Sequence, residues 1–504
     1  MSAKRTSLRF ICGDADRELS GFDPTLTILD WLRLDERRMG TKEGCAEGDC
    51  GACTVVVGKL DGDRVVYRAI DACIAPLACL DGHRLLTVEH LKRDGVLHPV
   101  QQAMVDQHGS QCGFCTPGIV MSLFALWLEE DAASEERIED ALAGNLCRCT
   151  GYQPIIAAGT EMFRQGAVAK AEWRSEQASM VKRLTALRDD RMLEIVKDGR
   201  SFVAPADLDS FAEAYARDPD ATIVAGATDA GLWITKEMRV LNRVLYPGRI
   251  AALSGVTDAG GELTIGAMTS LTDATEALGH IHPQLGELLR RFGGEQVRNA
   301  GTVGGNIANG SPIGDLPPAL IALGATLLLR HGKERRELPL EAFFLAYKQQ
   351  DRRPGEFVEA VRVPKLDAAS LFHASKISKR FDEDISALCG AFHLTLDAKG
   401  AVAAARLAYG GMAGTPKRAA AAEAALIGQP WDEEAAERAA AALEQDFKPL
   451  DDWRASSRYR MLCAQNLLRR FAIESGETIE TRVAGRLADI RLARRGEAPT
   501  ARGI

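Results

Sequence analysis

Eight of the twelve cysteines fall into two sets whose spacing is typical of metal ligands. The first set, spaced C-x4-C-x2-C with a fourth member further on, is Cys45, Cys50, Cys53 and Cys73. The second set, a C-x2-C pair answered by a C-x-C pair, is Cys112, Cys115, Cys147 and Cys149. The first spacing is the plant-type pattern for a [2Fe–2S] cluster. Two such sets predict that the chain transfers single electrons.

Zinc sites and disulfides are the alternatives for these cysteines. Zinc knuckles favour C-x2–4-C pairs on both sides, and the second pair of the second set is too tight for one. Disulfides would need an oxidising compartment. The first loop contains Gly44, Gly48 and Gly51, which let its backbone approach closely, and the strand-like run 54–57 follows at once. These features favour a cluster for the first set.

The residues around the second set predict a small helical domain. Pro117 suits the first turn of an apolar helix, because its missing N–H has no helical partner there. A second helix is predicted around 135–143, with Gly144 and Asn145 as its C-cap. Apolar residues in 98–108 have the spacing of a further amphipathic helix. Helices that meet at their ends would bring the two cysteine pairs together.

The second half of the chain carries two glycine-rich stretches, 222–231 and 293–315. Glycine lets backbone amides close on a pyrophosphate, so both stretches are candidates for a nucleotide site. Neither is a G-x-G-x-x-G fingerprint that opens a βαβ unit, and structural loops are the alternative. Before them, 166–191 is polar, with only Val181, Leu184 and Leu187 spaced for a short helix. We interpret it as a connector between two halves.

Composition limits the possible roles. The 504 residues suffice for three or four domains, and the formal net charge of −8 argues against nucleic-acid binding. No apolar signal-peptide segment follows Met1, and the longest apolar run, 316–329, is too short to span a membrane. We therefore expect a cytoplasmic location. The four remaining cysteines are interpreted as small buried hydrophobes, with Cys79 the nearest to a ligand set: Cys12, Cys79, Cys389 and Cys463.

Three long motifs carry a resemblance to a known family. They are EGCAEGDCGACTV at 43–55, CGFCTPG at 112–118 and GNLCRCTGYQPI at 144–155. Together they resemble the xanthine oxidase family of molybdenum hydroxylases. The glycine-rich stretches of the second half, and YGGMA at 409–413, resemble the flavin part of the same family. The resemblance covers roughly 6–475, and the basic tail 482–504 has no counterpart in it.

The resemblance implies an α+β multidomain fold. It places a β-grasp plant-type ferredoxin domain at 1–90 and a four-helix second-cluster domain at 91–165. The linker 166–191 would then lead to an FAD domain of the vanillyl-alcohol-oxidase type at 192–370. An α+β C-terminal cap of flavoprotein type would occupy 371–504, with strands near 391–396 and 405–411 and helices near 419–426 and 433–443.

The resemblance also assigns site residues. The two cysteine sets become the ligands of two [2Fe–2S] clusters, with Gln111 and Cys149 beside the pterin. Phe292 would face the isoalloxazine ring, and the loop 376–385 would flank the flavin on its nicotinamide side. The FAD contacts it implies are Val224, Ala225, Gly226, Ala227, Thr228, Asp229, Ala230, Gly231, Phe292, Thr302, Gly304, Gly305, Asn306, Asn309, Ser311, Asp315, Val358 and Lys376. No catalytic side chain is expected here, since the substrate pocket would lie on a partner.

The family's molybdenum domains have no counterpart in these residues. The resemblance therefore implies the electron-transfer subunit of a two-chain xanthine dehydrogenase, with molybdopterin on the large partner and a dimer of heterodimers. Electrons from hypoxanthine and xanthine oxidation to urate would pass through both clusters to FAD and NAD+. A sister hydroxylase acting on another heterocycle, a stand-alone electron-transfer flavoprotein, and a redox sensor or assembly factor with a decayed flavin half are the alternatives.

Overall fold

The computed structural model describes residues 4–476, and the basic tail predicted at 482–504 lies outside them. A mixed five-stranded sheet of order β3-β2-β6-β4-β5 carries the first cysteine set. Its core-facing strands are apolar, and Leu8, Phe10 and Val55 are fully buried in it. The elements up to this sheet's last strand are β1 (Lys4–Arg5), β2 (Leu8–Cys12), β3 (Ala15–Leu19), α1 (Ile28–Asp30), β4 (Thr54–Asp61), β5 (Arg64–Asp71) and β6 (Arg84–Leu86).

Four helices carry the second cysteine set, as predicted. They are α2 (Pro99–Asp106), α3 (Thr116–Glu129), α4 (Glu135–Leu142) and α5 (Gln153–Gln165). Pro117 lies in the first turn of α3, and every residue of α3 from Gly118 to Trp127 is buried. An all-apolar helix of this kind must be surrounded, and the other three helices and the first sheet pack around it.

The predicted connector differs from expectation, because it is a regular helix of 21 residues, α6 (Ala167–Leu187). It packs on the first sheet through Met180 and Leu184, which contact Ile11 and Leu60. Its apolar stripe is narrow and its other faces are charged, so the sequence indicated only a short helix. The contact nevertheless seats α6 against the first five-stranded sheet.

The glycine-rich half contains two sheets of five strands. The first has the order β1-β7-β8-β10-β9, so the first strand of the chain joins it, and the second has the order β11-β12-β17-β13-β14. Five helices pack on the second sheet around a core that includes Leu320 and Leu327. The elements are β7 (Met192–Lys197), β8 (Arg200–Ala204), α7 (Leu208–Arg217), β9 (Thr222–Ile223), α8 (Ala230–Thr235), β10 (Arg243–Leu245), β11 (Val256–Asp258), β12 (Glu262–Gly266), α9 (Leu271–Ile281), α10 (Pro283–Arg290), α11 (Glu295–Ala300), α12 (Val303–Asn309), α13 (Leu316–Leu323), β13 (Thr326–His331), β14 (Glu334–Pro339), α14 (Leu340–Phe343), β15 (Phe344–Ala346), β16 (Gln349–Gln350) and β17 (Phe357–Pro364).

The last part is an antiparallel sheet covered by alanine-rich helices, and its predicted strands and helices are confirmed. The elements are β18 (Ser370–Ile377), β19 (Leu388–Leu396), β20 (Val402–Gly410), β21 (Lys417–Arg418), α15 (Ala420–Leu426), α16 (Glu433–Asp446) and α17 (Ser457–Gly476). Small alanines let α16 lie close to its neighbours, and Ala435 and Ala439 are fully buried. Within residues 4–476, no helix combines the length and apolarity needed to cross a membrane.

Candidate functional site: two cysteine sets and a flavin-sized cavity

The structure brings the four cysteines of the first set together. Three come from the loop before β4 and the fourth from the turn after β5. The Cys45 sulfur accepts the backbone N–H groups of Glu47 and Asp49, each at 3.4 Å. Hydrogen bonds from the thiols of Cys50 and then Cys73 lower the pKa of Cys45. Four sulfurs that share hydrogen bonds, with amides aimed at one of them, suit a cluster held by thiolates.

The first set has no fully exposed cysteine, and Cys45 and Cys50 are half-buried. Cys53 and Cys73 are buried, and the Cys53 thiol donates to Asp71 Oδ1 at 3.5 Å. Burial raises the pKa of Asp71 to about 8. Cys79, the nearest spare cysteine, does not join the set, because its thiol shares a hydrogen bond with Tyr246.

The second set is also assembled, but its surroundings are open. The backbone N–H of Phe114 and the thiol of Cys149 lower the pKa of Cys112, and Cys115 and Cys147 form the other pair. The Cys147 N–H donates to the Tyr152 hydroxyl at 2.8 Å. The side chains that face outward are Gln111, Cys112, Phe114 and Cys149. Phe114 is 48% exposed and lies in the same loop as Cys112 and Cys115.

Across the described residues, no group of three or more His, Cys, Asp and Glu side chains surrounds one point suited to an ion. In the first set, Cys45 shares hydrogen bonds with Cys50 and Cys73. In the second set, Cys112 pairs with Cys149, and Cys115 pairs with Cys147. A backbone hydrogen bond of 3.0 Å, from the Leu146 N–H to the Cys50 carbonyl, joins the two loops directly.

The second half of the chain contains a cavity of about 640 Å³. This volume is within the usual range for cofactor sites. All but two of the predicted FAD residues line it: Ala225, Gly226, Ala227, Thr228, Asp229, Ala230, Phe292, Thr302, Gly304, Gly305, Asn306, Asn309, Ser311, Asp315, Val358 and Lys376. Val224 is instead buried in the core. Gly231 packs on the turn of the first cysteine set, where a Cβ would lie 2.5 Å from the Ile74 carbonyl oxygen.

Local conformation explains the shape of the two glycine-rich loops. A Cβ on Gly226 would lie 1.9 Å from the Ala300 carbonyl oxygen, so only glycine allows the two loops to touch. The left-handed residue of the first loop is Ala227, with φ of 61°. Thr302 caps α12 by accepting the Gly305 N–H at 3.1 Å. The buried Asn306 Oδ1 has no protein partner, which suits a polar ligand in the cavity.

A buried ion pair closes one side of the cavity. Lys376 Nζ donates to Asp315 Oδ2 at 2.8 Å, and Ser386 donates to Asp315 Oδ1 at 2.5 Å. Lys376 also donates to the carbonyls of Arg291 and Asp384. These contacts tie the predicted nicotinamide-side loop to the cavity wall, and Glu383, Asp384 and Ile385 of that loop line the cavity.

A further part of the cavity wall comes from the first cysteine loop. Glu47, Gly48 and Asp49, which lie between Cys45 and Cys50, line the cavity together with Glu383. Burial raises the pKa of Glu383 to about 9, with a further contribution from Asp49. Sequence reasoning missed residues 47–49 as part of this cavity. No local signal could have identified them, because the contact joins parts of the chain more than two hundred residues apart.

The comparisons with known proteins agree with this division. Residues 87–160 match the [2Fe-2S] binding domain family. Residues 196–366 match the family of the FAD binding domain in molybdopterin dehydrogenase. Residues 373–475 match the CO dehydrogenase flavoprotein C-terminal domain family. The chain thus contains a [2Fe–2S]-binding domain and an FAD-binding domain.

The chain is similar to xanthine dehydrogenase of Emericella nidulans, 33% identical over 88% of this chain and 36% of that protein. Xanthine dehydrogenase/oxidase of Rattus norvegicus is 29% identical over 85% of this chain. The chain spans about a third of these relatives. A carbon monoxide dehydrogenase structure from Hydrogenophaga pseudoflava matches with TM-score 0.50 and 29% identity, covering 53% of this chain and 93% of that one. These matches identify the chain as a member of the xanthine oxidase family, corresponding to its iron–sulfur and flavin portion.

Proposed function

We propose that this chain is the electron-transferring subunit of a two-chain xanthine dehydrogenase. A partner chain would hold molybdopterin and oxidise hypoxanthine and xanthine to urate. Cys112, Cys115, Cys147 and Cys149 would hold the cluster that receives electrons first, and Cys45, Cys50, Cys53 and Cys73 the next. When bound, the clusters would carry single electrons, and FAD would pair them for hydride transfer to NAD+.

The observation that carries this proposal is the shared wall of the flavin-sized cavity. Residues 47–49 belong to the first cysteine loop and line the same cavity as Thr228 and Phe292. A cluster on that loop would therefore adjoin the flavin with no other domain between them. The glycine-rich loops offer backbone amides to a pyrophosphate, and Asn306 offers a buried carbonyl oxygen that has no protein partner.

The open second site supports a partner chain. Cys112 and Cys149 are exposed, and Phe114 stands beside them. The reduction potential of a cluster held by thiolates depends on burial and on hydrogen bonds to the sulfurs. At the second set, this chain encloses only one side of the site. We propose that the partner covers this face and delivers electrons there. The dimer of heterodimers is part of the same proposal.

The test separates the two half-reactions. Expressed alone, the chain should reduce an artificial dye with NADH and should form no urate from xanthine. Co-expression with the large partner should restore urate formation coupled to NAD+ reduction. Phe292→Ala should slow the NADH half and leave iron content unchanged, because only the surface against the flavin ring is altered. Urate formation by the isolated chain would refute the division of labour. Oxygen uptake in place of NAD+ reduction would refute the proposed acceptor.

A sister molybdenum hydroxylase is the second candidate. The likeness to a carbon monoxide dehydrogenase chain, at 29% identity, favours it. The same electron path would then serve another substrate, because nothing in the described cavity selects one. Partner-dependent oxidation of a different heterocycle, with xanthine left unchanged, would move the assignment to this candidate.

A further inference from the structure

Helix α11 touches all the parts of the chain that the proposed electron path would use. On one side, the segment that contains it lines the cavity through Phe292, Gly294 and Val297. On the other side it packs on β5 of the first sheet, where Asn299 donates to the Ala69 carbonyl at 3.0 Å. Its first residue, Glu295, forms an ion pair with Arg137 of α4 at 3.0 Å.

The centre of this junction is Gln296, which is 1% exposed. Its Nε2 lies 3.1 Å from Thr54 Oγ1, 3.1 Å from Ser122 Oγ and 3.0 Å from Asn145 Oδ1. Thr54 follows Cys53 of the first set, and Asn145 lies two residues before Cys147 of the second. The Asn145 oxygen is only an acceptor, so the nitrogen of Gln296, and not its oxygen, must face it. One amide of the flavin half thus holds both cysteine loops.

The two loops are also held to each other. Asn145 Nδ2 donates to the Gly51 carbonyl at 3.1 Å, and Ser122 Oγ donates to Asn145 Oδ1 at 2.6 Å. Thr54 Oγ1 donates to the Gly51 carbonyl at 2.7 Å. Every acceptor that Gln296 Nε2 contacts therefore has a place in one buried network, whose members constrain one another's geometry. The network is not fully paired, because the buried Gln296 Oε1 has no hydrogen-bond partner among the described residues.

Backbones meet directly around this network. A Cβ on Gly51 would lie 2.2 Å from the Gly144 carbonyl oxygen, and one on Gly118 would lie 2.0 Å from the Gly51 carbonyl oxygen. A Cβ on Gly144 would lie 2.2 Å from Gln296 Oε1, and one on Gly294 would lie 2.7 Å from the Gly144 Cα. Gly144 is not in the left-handed region, so this close approach, and not the predicted helix cap, requires glycine there. The three regions are therefore in close backbone contact around Gln296.

We propose that Gln296 is a positioning residue that fixes the separation of the two cysteine loops. Through that separation it sets the rate at which one electron passes from the second-set cluster to the first. The step oxidises one cluster and reduces the other by one electron, and no bond or proton is exchanged. This inference rests on the proposed function, because it needs a cluster in each set.

The test uses Gln296→Met in the full chain with its cofactors. Methionine keeps the length and removes the donors, while Asn145 Oδ1 retains Ser122 and Thr54 Oγ1 retains Asn145 as partners. Iron and FAD contents are measured first. Dithionite then reduces both clusters, and EPR measures the magnetic splitting between them, which depends on their separation. Freeze-quench after a substoichiometric dose of dithionite measures how fast the electron equilibrates.

We expect Gln296→Met to keep iron and FAD, to change or broaden the splitting, and to slow equilibration about tenfold, the lower end of what loss of a hydrogen bond behind a metal ligand causes. Asn299→Ala is the matched control, because it removes a bond of the same helix to the first sheet and none to the second cysteine loop. It should behave as wild type. Gln296→Glu should change the splitting and the equilibration rate more than Gln296→Met does, since a carboxylate would face acceptor oxygens.

Unchanged splitting and rate in an iron-replete Gln296→Met protein would overturn the inference. If that variant loses iron, Ser122→Ala carries the same test, because it removes one hydroxyl of the network, and an unchanged splitting there would also overturn it. Failure of the proposed function looks different, since the wild-type chain itself would then show fewer than two cluster signals or no flavin.

Discussion

The two cysteine sites differ in what encloses them. The first is the more closed, with Cys53 and Cys73 at 1% and 3% exposure and Cys45 and Cys50 half-buried, and its loop forms part of the flavin-sized cavity. The second is built at helix ends and leaves Cys112 and Cys149 at the surface. A closed site next to a cavity suits transfer within the chain, and an open one suits transfer from another molecule. The asymmetry therefore supports the proposed electron path, in which electrons enter at the second set and pass through the first set to the flavin.

The difference has a local structural cause. The first set lies in a loop pressed between a sheet and the flavin half, where Gly231 packs directly on the Ile74 carbonyl. The second set lies where α3 begins and just after α4 ends. Helix ends lie near the surface of a small helical domain, and Cys112 and Cys149 remain exposed there.

The largest difference between the two sites should appear when one cysteine is removed from each. Cys73→Ser and Cys149→Ser should each lose one of two EPR signals and about two of four irons, as two [2Fe–2S] clusters imply. Only Cys73→Ser should also lower FAD occupancy, because the turn after Cys73 supports α8 at the cavity. Iron, FAD and EPR measurements on both variants check this. Full FAD occupancy in Cys73→Ser with its signal lost would contradict the coupling.

Exposure should also decide the order in which the clusters are lost. In the isolated chain, a chelator with a mild oxidant should remove the second-set signal first, because two of its thiols are at the surface and oxidation follows access. The large partner should slow that loss and leave the first-set signal unaffected. A time course followed by EPR measures both rates. Earlier loss of the first-set signal would reverse the comparison.

Sequence reasoning reached the parts of these sites that are local in the chain. The cysteine spacing identified both sets, and the structure brings each set together. The glycine-rich loops identified most of the cavity, because the glycines that allow tight turns lie close together in the sequence. Sequence reasoning misassigned Gly144 as a helix cap and treated α6 as a connector with a short helix. The roles of both come from contacts with distant elements.

Gln296 shows the same limit more clearly. It lies inside a stretch that was already singled out, yet its side chain points away from the cavity and into the junction of the cysteine loops. Periodicity and spacing report which residues share a face, and they do not report which domain will cover that face. The order of the two sites relative to the flavin, and hence the asymmetry, could be obtained only from the assembled chain.

Two glycine substitutions, Gly305→Ala and Gly286→Ala, test whether the first cluster is retained when FAD binding is weakened. In Gly305→Ala, the new Cβ would lie 2.7 Å from Thr302 Oγ1, whereas in Gly286→Ala it meets only the Gly279 Cα at 3.5 Å and the Thr275 carbonyl oxygen at 4.0 Å, which are ordinary contacts. Both changes gain helix propensity, but only the first disturbs the cap of α12, at a cost of about 1 kcal/mol. FAD released by acid should fall in Gly305→Ala alone, with both EPR signals retained. Equal FAD in the two variants would contradict the assignment.

The carboxyl of Glu383, at the boundary between the closed site and the cavity, should make stability depend on pH. Burial raises its pKa from 4.5 to about 9, so the folded chain holds a proton that the unfolded chain releases. The contribution of this carboxyl to the free energy of unfolding is fully present below its pKa in the unfolded chain. It is lost as the pH rises toward its pKa in the folded chain, by at most about 1.4 kcal/mol per pH unit. Glu383→Gln stays neutral, so its Tm should gain on wild type between about pH 5.5 and 8.5. Parallel Tm profiles would contradict this.

The smallest expected effect concerns how the open site's domain is attached. Arg137 pairs with Glu129, Glu130 and Glu295, the last at 3.0 Å across to α11. Arg137→Met should cost up to about 1 kcal/mol, because the pairs are partly exposed. Raising salt from about 0.1 M to 1 M should shrink that difference as the screening length falls. Arg174→Met is the control, since Arg174 pairs only with Asp131 at an exposed site, and it should leave stability unchanged. A salt-independent loss in Arg137→Met would mean that packing at this boundary, and not charge, holds the open domain to the flavin half.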